Sequence, residues 1–107
     1  MKAIRKGSGR QFKVTAVSPI AAGDVVIAGA LHGVAPYGIA QGMTGVVERE
    51  GEFEIEFDGA AAASQGAAAY WNATAKKVTG TSTDNTLIGY FSVAAAAGDA
   101  TCRVILV

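Results

Sequence analysis

Residues 51–58 read GEFEIEFD, and this segment decides the fold class. Its apolar and acidic side chains alternate with a period of two. Successive side chains of a β-strand point to opposite faces, whereas a helix repeats every 3.6 residues. The segment therefore predicts an antiparallel strand with one buried face and one exposed face.

The rest of the chain carries further strand signals between short turns rich in glycine and polar residues. Two alanine runs, 60–63 and 94–97, favour short helical turns or tight loops. We expect an all-β fold, a small barrel or sandwich of about seven or eight short strands with one or two short helical turns. The other predicted strands lie at 11–16, 25–27, 67–72, 76–79, 86–93 and 101–107.

The composition excludes several classes of protein. The 107 residues include 22 alanines and 14 glycines, and nine basic side chains balance nine acidic ones. Zero net charge argues against a broadly cationic nucleic-acid binder. No apolar run approaches the roughly 18 residues of a membrane helix, and no signal peptide is recognisable. Cys102 is the only cysteine, so neither an internal disulfide nor a cysteine metal cluster can form.

Positive charge is concentrated at the start of the chain. We expect residues 1–13 to form a flexible basic arm and residues 14–107 a single β-rich domain. The arm could be a solvated end, dock on an acidic surface or touch nucleic acid; no binding motif supports the last reading. Its five cations, with no acid among them, are Lys2, Arg5, Lys6, Arg10 and Lys13.

Negative charge is concentrated in and beside the 51–58 segment. Such a row can be a solvated face, meet a cationic partner or block edge-to-edge aggregation. Metal binding is disfavoured, because ligands along one flat strand diverge rather than converge. The candidate acidic face comprises Glu50, Glu52, Glu54, Glu56 and Asp58.

No catalytic constellation is present in the sequence. His32 is the only histidine, and neither a nucleophile elbow nor a phosphate-binding loop occurs. Cys102 lies in an apolar strand pattern, where a cysteine acts as a small hydrophobe. We therefore expect no enzymatic activity, no cofactor and no metal.

The adjacent aromatic residues Tyr70 and Trp71 form a third candidate surface. Neighbouring strand residues face opposite sides, so an exposed member would suit an interface. The alternative is that both are buried in a small core.

A weak internal echo is also visible. Residues 20–27 resemble residues 96–104, and residues 64–70 form a looser third copy. In each, small residues and a turn glycine lead into a strand. Three weak copies do not establish a repeat architecture.

The order of segments resembles the DUF2190 family of small phage and prophage proteins. The likeness covers about residues 14–107 and is strongest in the C-terminal half; the basic start departs from it. The segments that carry it are 19–27, 31–35, 45–55, 65–78, 85–89 and 94–106.

This resemblance implies a capsid decoration, or cement, protein. Such a protein binds the outside of the expanded head, bridges major capsid subunits and often forms trimers on the shell. Its location would be the virion surface after synthesis in the host cytoplasm, with no nucleic-acid or membrane partner. The alternative is another virion part, such as a tail or fibre-associated β module. A recombination-associated factor, a label some relatives carry, is disfavoured by the missing phosphate loop.

Overall fold

The computed structural model describes residue 3 and residues 9–107. The fold is all-β, as expected, and its strands form two antiparallel sheets. No helix occurs among the described residues, so the expected helical turns are not found. The nine strands are β1 (Gln11–Thr15), β2 (Val25–Ala28), β3 (Leu31–Val34), β4 (Thr44–Glu48), β5 (Glu52–Glu56), β6 (Ala68–Asn72), β7 (Lys77–Thr79), β8 (Thr86–Phe91) and β9 (Thr101–Leu106).

The chain divides into two compact units, Met1–Glu50 and Gly51–Val107. In the first unit, the strands pair in the order β1-β4-β3-β2. Its buried core consists of small and β-branched residues. Val26, Ala35 and Val47 form this core, and Phe12 packs against it.

The second unit contains a five-stranded sheet in the order β5-β9-β8-β6-β7. Phe57, just after β5, forms a parallel bridge with Val78 of β7. The N–H of Asp58 donates to the Val78 carbonyl at 3.0 Å. The two ends of the strand order therefore touch at this one bridge, and the sheet curves into a partly closed barrel. Inside it, the rings of Phe57 and Phe91 meet edge to face, with centroids 5.7 Å apart.

The two units repeat one strand topology. β5, β9, β8 and β6 pair in the same order as β1, β4, β3 and β2. The remaining strand, β7, pairs with β6 and lies in the long connection between β6 and β8. The second unit is therefore a copy of the first with one added strand.

Strand register also agrees between the copies. Phe12 in β1 faces Val47, and Phe53 in β5 faces Val104. Two residues further along, Val14 faces Gly45 and Ile55 faces Cys102. The repeated register places the exposed residues Lys13 and Glu54 at equivalent positions of β1 and β5.

Four turns of one kind lead into strands β2, β4, β6 and β9. In each, the N–H of the fourth residue donates to the carbonyl of the first at 3.0–3.1 Å. The third residue is a glycine with φ between 80° and 89°, as a type II turn requires. The turns span residues 21–24, 40–43, 64–67 and 96–99. The weak sequence echo thus marks three of the four turns that the two copies share.

The two alanine runs lead into two of these turns. Ala63 and Ala95 precede two of them and bridge to each other, each N–H donating to the other's carbonyl at 2.9 Å. Ile20 and Ile39 form the corresponding bridge in the first unit. A run of one helical turn gains little cooperative stabilisation, so the extended backbone required by the bridge prevails.

Candidate functional site

Of the predicted basic arm, the structure describes Arg10 and Lys13; Lys2, Arg5 and Lys6 lie outside the described residues. Lys13 is an exposed residue of β1. The arm's predicted extent, and the single domain predicted after it, stay predictions.

One arm residue and one residue of the acidic face meet in the structure. The Nε of Arg10 lies 3.7 Å from the Oε2 of Glu50, and both side chains are largely exposed. Exposed ion pairs contribute about 0–1 kcal/mol, so this contact adds little to the stability of the fold. One cation of the predicted basic arm therefore lies beside one carboxylate of the predicted acidic face.

The acidic face follows β5 as the alternation predicts. Glu52, Glu54 and Glu56 are exposed, Phe53 is half-buried and Ile55 is buried. Core packing of the apolar residues fixes the direction in which the carboxylates point. The glutamates thus form a row along one side of β5.

Hydroxyl groups from neighbouring strands and loops hold two of these carboxylates. The Oγ of Ser92 donates to the Oε2 of Glu52 at 2.5 Å. The Oγ1 of Thr101 donates to the Oε1 of Glu54 at 2.9 Å. Arg103 lies opposite Glu54 in the β5–β9 register. The row is therefore a positioned surface, with one cation across from its centre.

Asp58, at the end of the acidic face, has a local structural contact. Its Oδ1 accepts the N–H of Ala60, two residues further on, at 3.1 Å, the pattern of an Asx-turn. Across the described part of the chain, no three His, Cys, Asp or Glu side chains form a group that could hold a metal ion.

Tyr70 and Trp71 lie in β6, and both are half-buried. Tyr70 faces Leu87 on one side and Thr79 on the other. A β-bulge between Ala69 and Tyr70 shifts the register at this point. Neither ring is fully exposed or fully buried, so the structure places them midway between the two predicted alternatives.

Cys102 is buried in β9, as its sequence pattern predicts, and its Sγ lies 3.7 Å from the Ile55 carbonyl oxygen. Burial, and secondarily the charge of Asp58, raise the pKa of the thiol from 9.0 to about 11. A thiol with so high a pKa is a poor nucleophile at neutral pH.

His32 lies in β3 opposite Ile27, and its Nε2 is buried without a hydrogen-bond partner in the described structure.

A small cavity in the second unit has a volume of about 160 Å³ and is lined by Asp58, Thr79, Gly80, Thr81 and three alanines. Small-molecule sites usually enclose about 300–1,000 Å³, so this cavity is smaller than most of them.

No helix long and apolar enough to cross a membrane occurs in residues 3 and 9–107.

Sequence reasoning missed an apolar patch on the outer face of the second sheet. Tyr90 of β8 faces Ile105 of β9, and both remain close to half exposed. Glu52 lies on the other side of Ile105, so a carboxylate borders the patch. The signal in the sequence was that Tyr90 and Ile105 occupy strand positions that alternate with the buried residues of β8 and β9.

A family model described as phage cement protein matches residues 4–106. No curated protein and no solved structure gave a significant match. Because the family match spans nearly the whole chain, this protein belongs to the phage cement proteins, a family of capsid-decoration proteins.

Proposed function

We propose that this cement protein binds the outer surface of the expanded head and stabilises it by bridging major capsid subunits. The observation that carries the proposal is the family match over residues 4–106. Many symmetric copies, each making weak contacts, would sum to high avidity without any chemical step. The protein would act mechanically, with no catalysis and no cofactor.

Two charged surfaces are the proposed contacts. The basic arm (Lys2, Arg5, Lys6, Arg10 and Lys13) would lie along an acidic region of the shell. The acidic face (Glu50, Glu52, Glu54, Glu56 and Asp58) would meet a basic patch. Hydroxyl bonds to Glu52 and Glu54 support this proposal, since a positioned carboxylate loses less conformational freedom on binding. Tyr70 and Trp71 would add contact area at an interface.

Self-association is the second part of the proposal. Copies would meet on the shell as trimers, with no direct nucleic-acid or membrane partner. The protein would be made in the host cytoplasm and end on the virion surface.

Copy number in purified virions tests the proposal. Quantitative mass spectrometry against the major capsid protein should give a ratio near one to one, on the order of hundreds of copies per particle. A handful of copies would indicate a tail or fibre-associated part instead. Absence from the particle would overturn both virion roles and return attention to a recombination-associated or other binding function.

A further inference from the structure

Strands β1 and β5 each end the order of their sheet. Beside β1, the Arg10 carbonyl accepts a backbone N–H and the Ala16 N–H donates to a carbonyl, both on the β4 side. Beside β5, the Gly51 carbonyl accepts a backbone N–H and the Phe57 N–H donates to a carbonyl, both on the β9 side. Alternate residues of an antiparallel strand bond to opposite sides. The backbone groups of Lys13 and Glu54 therefore point toward the outer edge of their strands.

Most of the β5 edge is open in the described structure. Its second side carries one isolated bridge, from Phe57 to Val78, beyond the end of the strand. Among the described residues, strand β1 pairs with β4 alone. Unpaired strand edges are templates for pairing with another chain.

Charges at the two edges are opposite in sign. Lys13 lies at the centre of β1, between Gln11 and Thr15. Glu54 lies at the centre of β5, between Glu52 and Glu56. The duplication makes these positions equivalent, so the two edges share one backbone geometry and differ in charge.

We propose that, on the shell, the β1 edge of one copy pairs with the β5 edge of the next copy, with Lys13 facing the Glu52–Glu54 row. Pairing of β5 with β5 would bring three glutamates against three, and β1 with β1 would oppose two lysines. Like charges directly opposite each other are destabilising, so only the unlike edges are compatible.

Such a contact is heterologous, because different surfaces of each copy meet. A heterologous contact that closes generates a ring, which is the arrangement a trimer needs. This inference rests on the proposed self-association on the shell. It refines the proposed arm contact: Lys13, which lies in β1, would face a neighbouring copy, and the four cations before it would face the shell.

Zero-length cross-linking of the unmodified protein tests the pairing. Equal amounts of ¹⁴N- and ¹⁵N-labelled chain are bound to expanded heads, washed by sedimentation and treated with a carbodiimide. This reagent joins an amine to a carboxylate only at direct contact. We expect mixed-isotope peptides that link Lys13 to Glu54 or Glu52.

Charge reversal provides the second measurement. Lys13→Glu or Glu54→Lys alone removes the charge attraction and should lower the total yield of mixed-isotope cross-links between neighbouring copies about tenfold. The double variant should restore it, whereas Lys77→Glu, an equal charge change in β7, should leave it unchanged.

The outcomes separate this inference from the proposed function. Chains that co-sediment with heads but give no mixed-isotope link at Lys13 overturn the edge pairing and leave shell binding intact. Chains that do not co-sediment overturn the proposed function, and the pairing falls with it. Failure of the double variant to restore cross-linking also contradicts the pairing.

Discussion

Gly33 and Gly89 occupy the same position in two copies of one β unit. A Cβ at Gly33 would overlap the carbonyl oxygen of Glu48, and a Cβ at Gly89 would overlap that of Ile105. The residues that follow these glycines, Val34 and Tyr90, pair with Glu48 and Ile105 respectively. Both copies therefore need a residue without a side chain at the point where β3 approaches β4 and β8 approaches β9.

Gly33→Ala and Gly89→Ala should each destabilise the protein by about 2–3 kcal/mol, because a backbone carbonyl cannot move aside without breaking the strand pair. Urea unfolding measures the loss. Gly80→Ala is the matched control: nothing lies within 4 Å of its added Cβ, so its effect should stay within about 0.5 kcal/mol. Equal costs at all three sites would contradict the close approach.

Asp24 and Asp99 should contribute similarly to stability. Their Oδ2 atoms accept the N–H of Ala21 and Ala96, each at 2.9 Å, across equivalent turns. Alanine at either position should cost about 1 kcal/mol in urea unfolding. Asparagine retains an acceptor oxygen and should recover most of that loss. An asparagine variant as unstable as the alanine variant would assign the effect to charge instead.

Phe91→Ala should cost about 3–5 kcal/mol, because it removes a fully buried ring and its contact with Phe57. Thermal unfolding measures the change. Tyr90→Ala, at the neighbouring position with 43% exposure, should cost less than about 1 kcal/mol in free protein. A larger cost at Tyr90 than at Phe91 would reverse the two assigned faces of β8.

Cys102 should resist thiol reagents in the native protein. Its pKa is raised from 9.0 to about 11, which lowers the thiolate fraction about 100-fold at neutral pH relative to the unfolded chain. Reaction with a chromogenic disulfide at pH 8, with and without urea, checks this. Rapid reaction of the folded chain would contradict the burial.

The same shift makes stability depend on pH. The folded thiol holds its proton more tightly than the unfolded one, so its contribution is complete below 9.0 and is lost as pH rises to about 11. Urea unfolding of the unmodified protein and of Cys102→Ala across that window isolates the thiol. The variant should lose less stability than the unmodified chain as pH rises.

Reversing Arg5 and Lys6 to glutamate should lower the occupancy of expanded heads, and the loss should be greatest at low salt, where charge attraction is least screened. Lys76→Glu with Lys77→Glu changes the charge equally elsewhere and serves as the control. Sedimentation with heads measures the bound fraction. Undiminished occupancy of the Arg5 and Lys6 variant would refute the arm's role.

The local alternation of apolar and polar residues determined the fold class and the buried faces of several strands. The alternation in residues 51–58 correctly predicts β5, because a period of two is set by the strand itself and requires no knowledge of partners. The same reasoning correctly predicts the all-β class and the buried Cys102. It placed the candidate acidic face on exposed positions, although its role in binding stays a prediction.

Only the tertiary structure decided the pairing. Strands β3 and β4 escaped prediction because each contains a glycine and lacks clear alternation; Gly33 in β3 is explained by a carbonyl 15 positions away in sequence, that of Glu48. The duplication was hidden because equivalent core positions differ in size: Ala16 and Ala35 stand where the second copy has Phe57 and Phe91. Side chains at those positions diverge, while the backbone hydrogen bonds that define the topology repeat. Sequence therefore reports which face of a strand is buried, and long-range backbone pairing decides which strands meet.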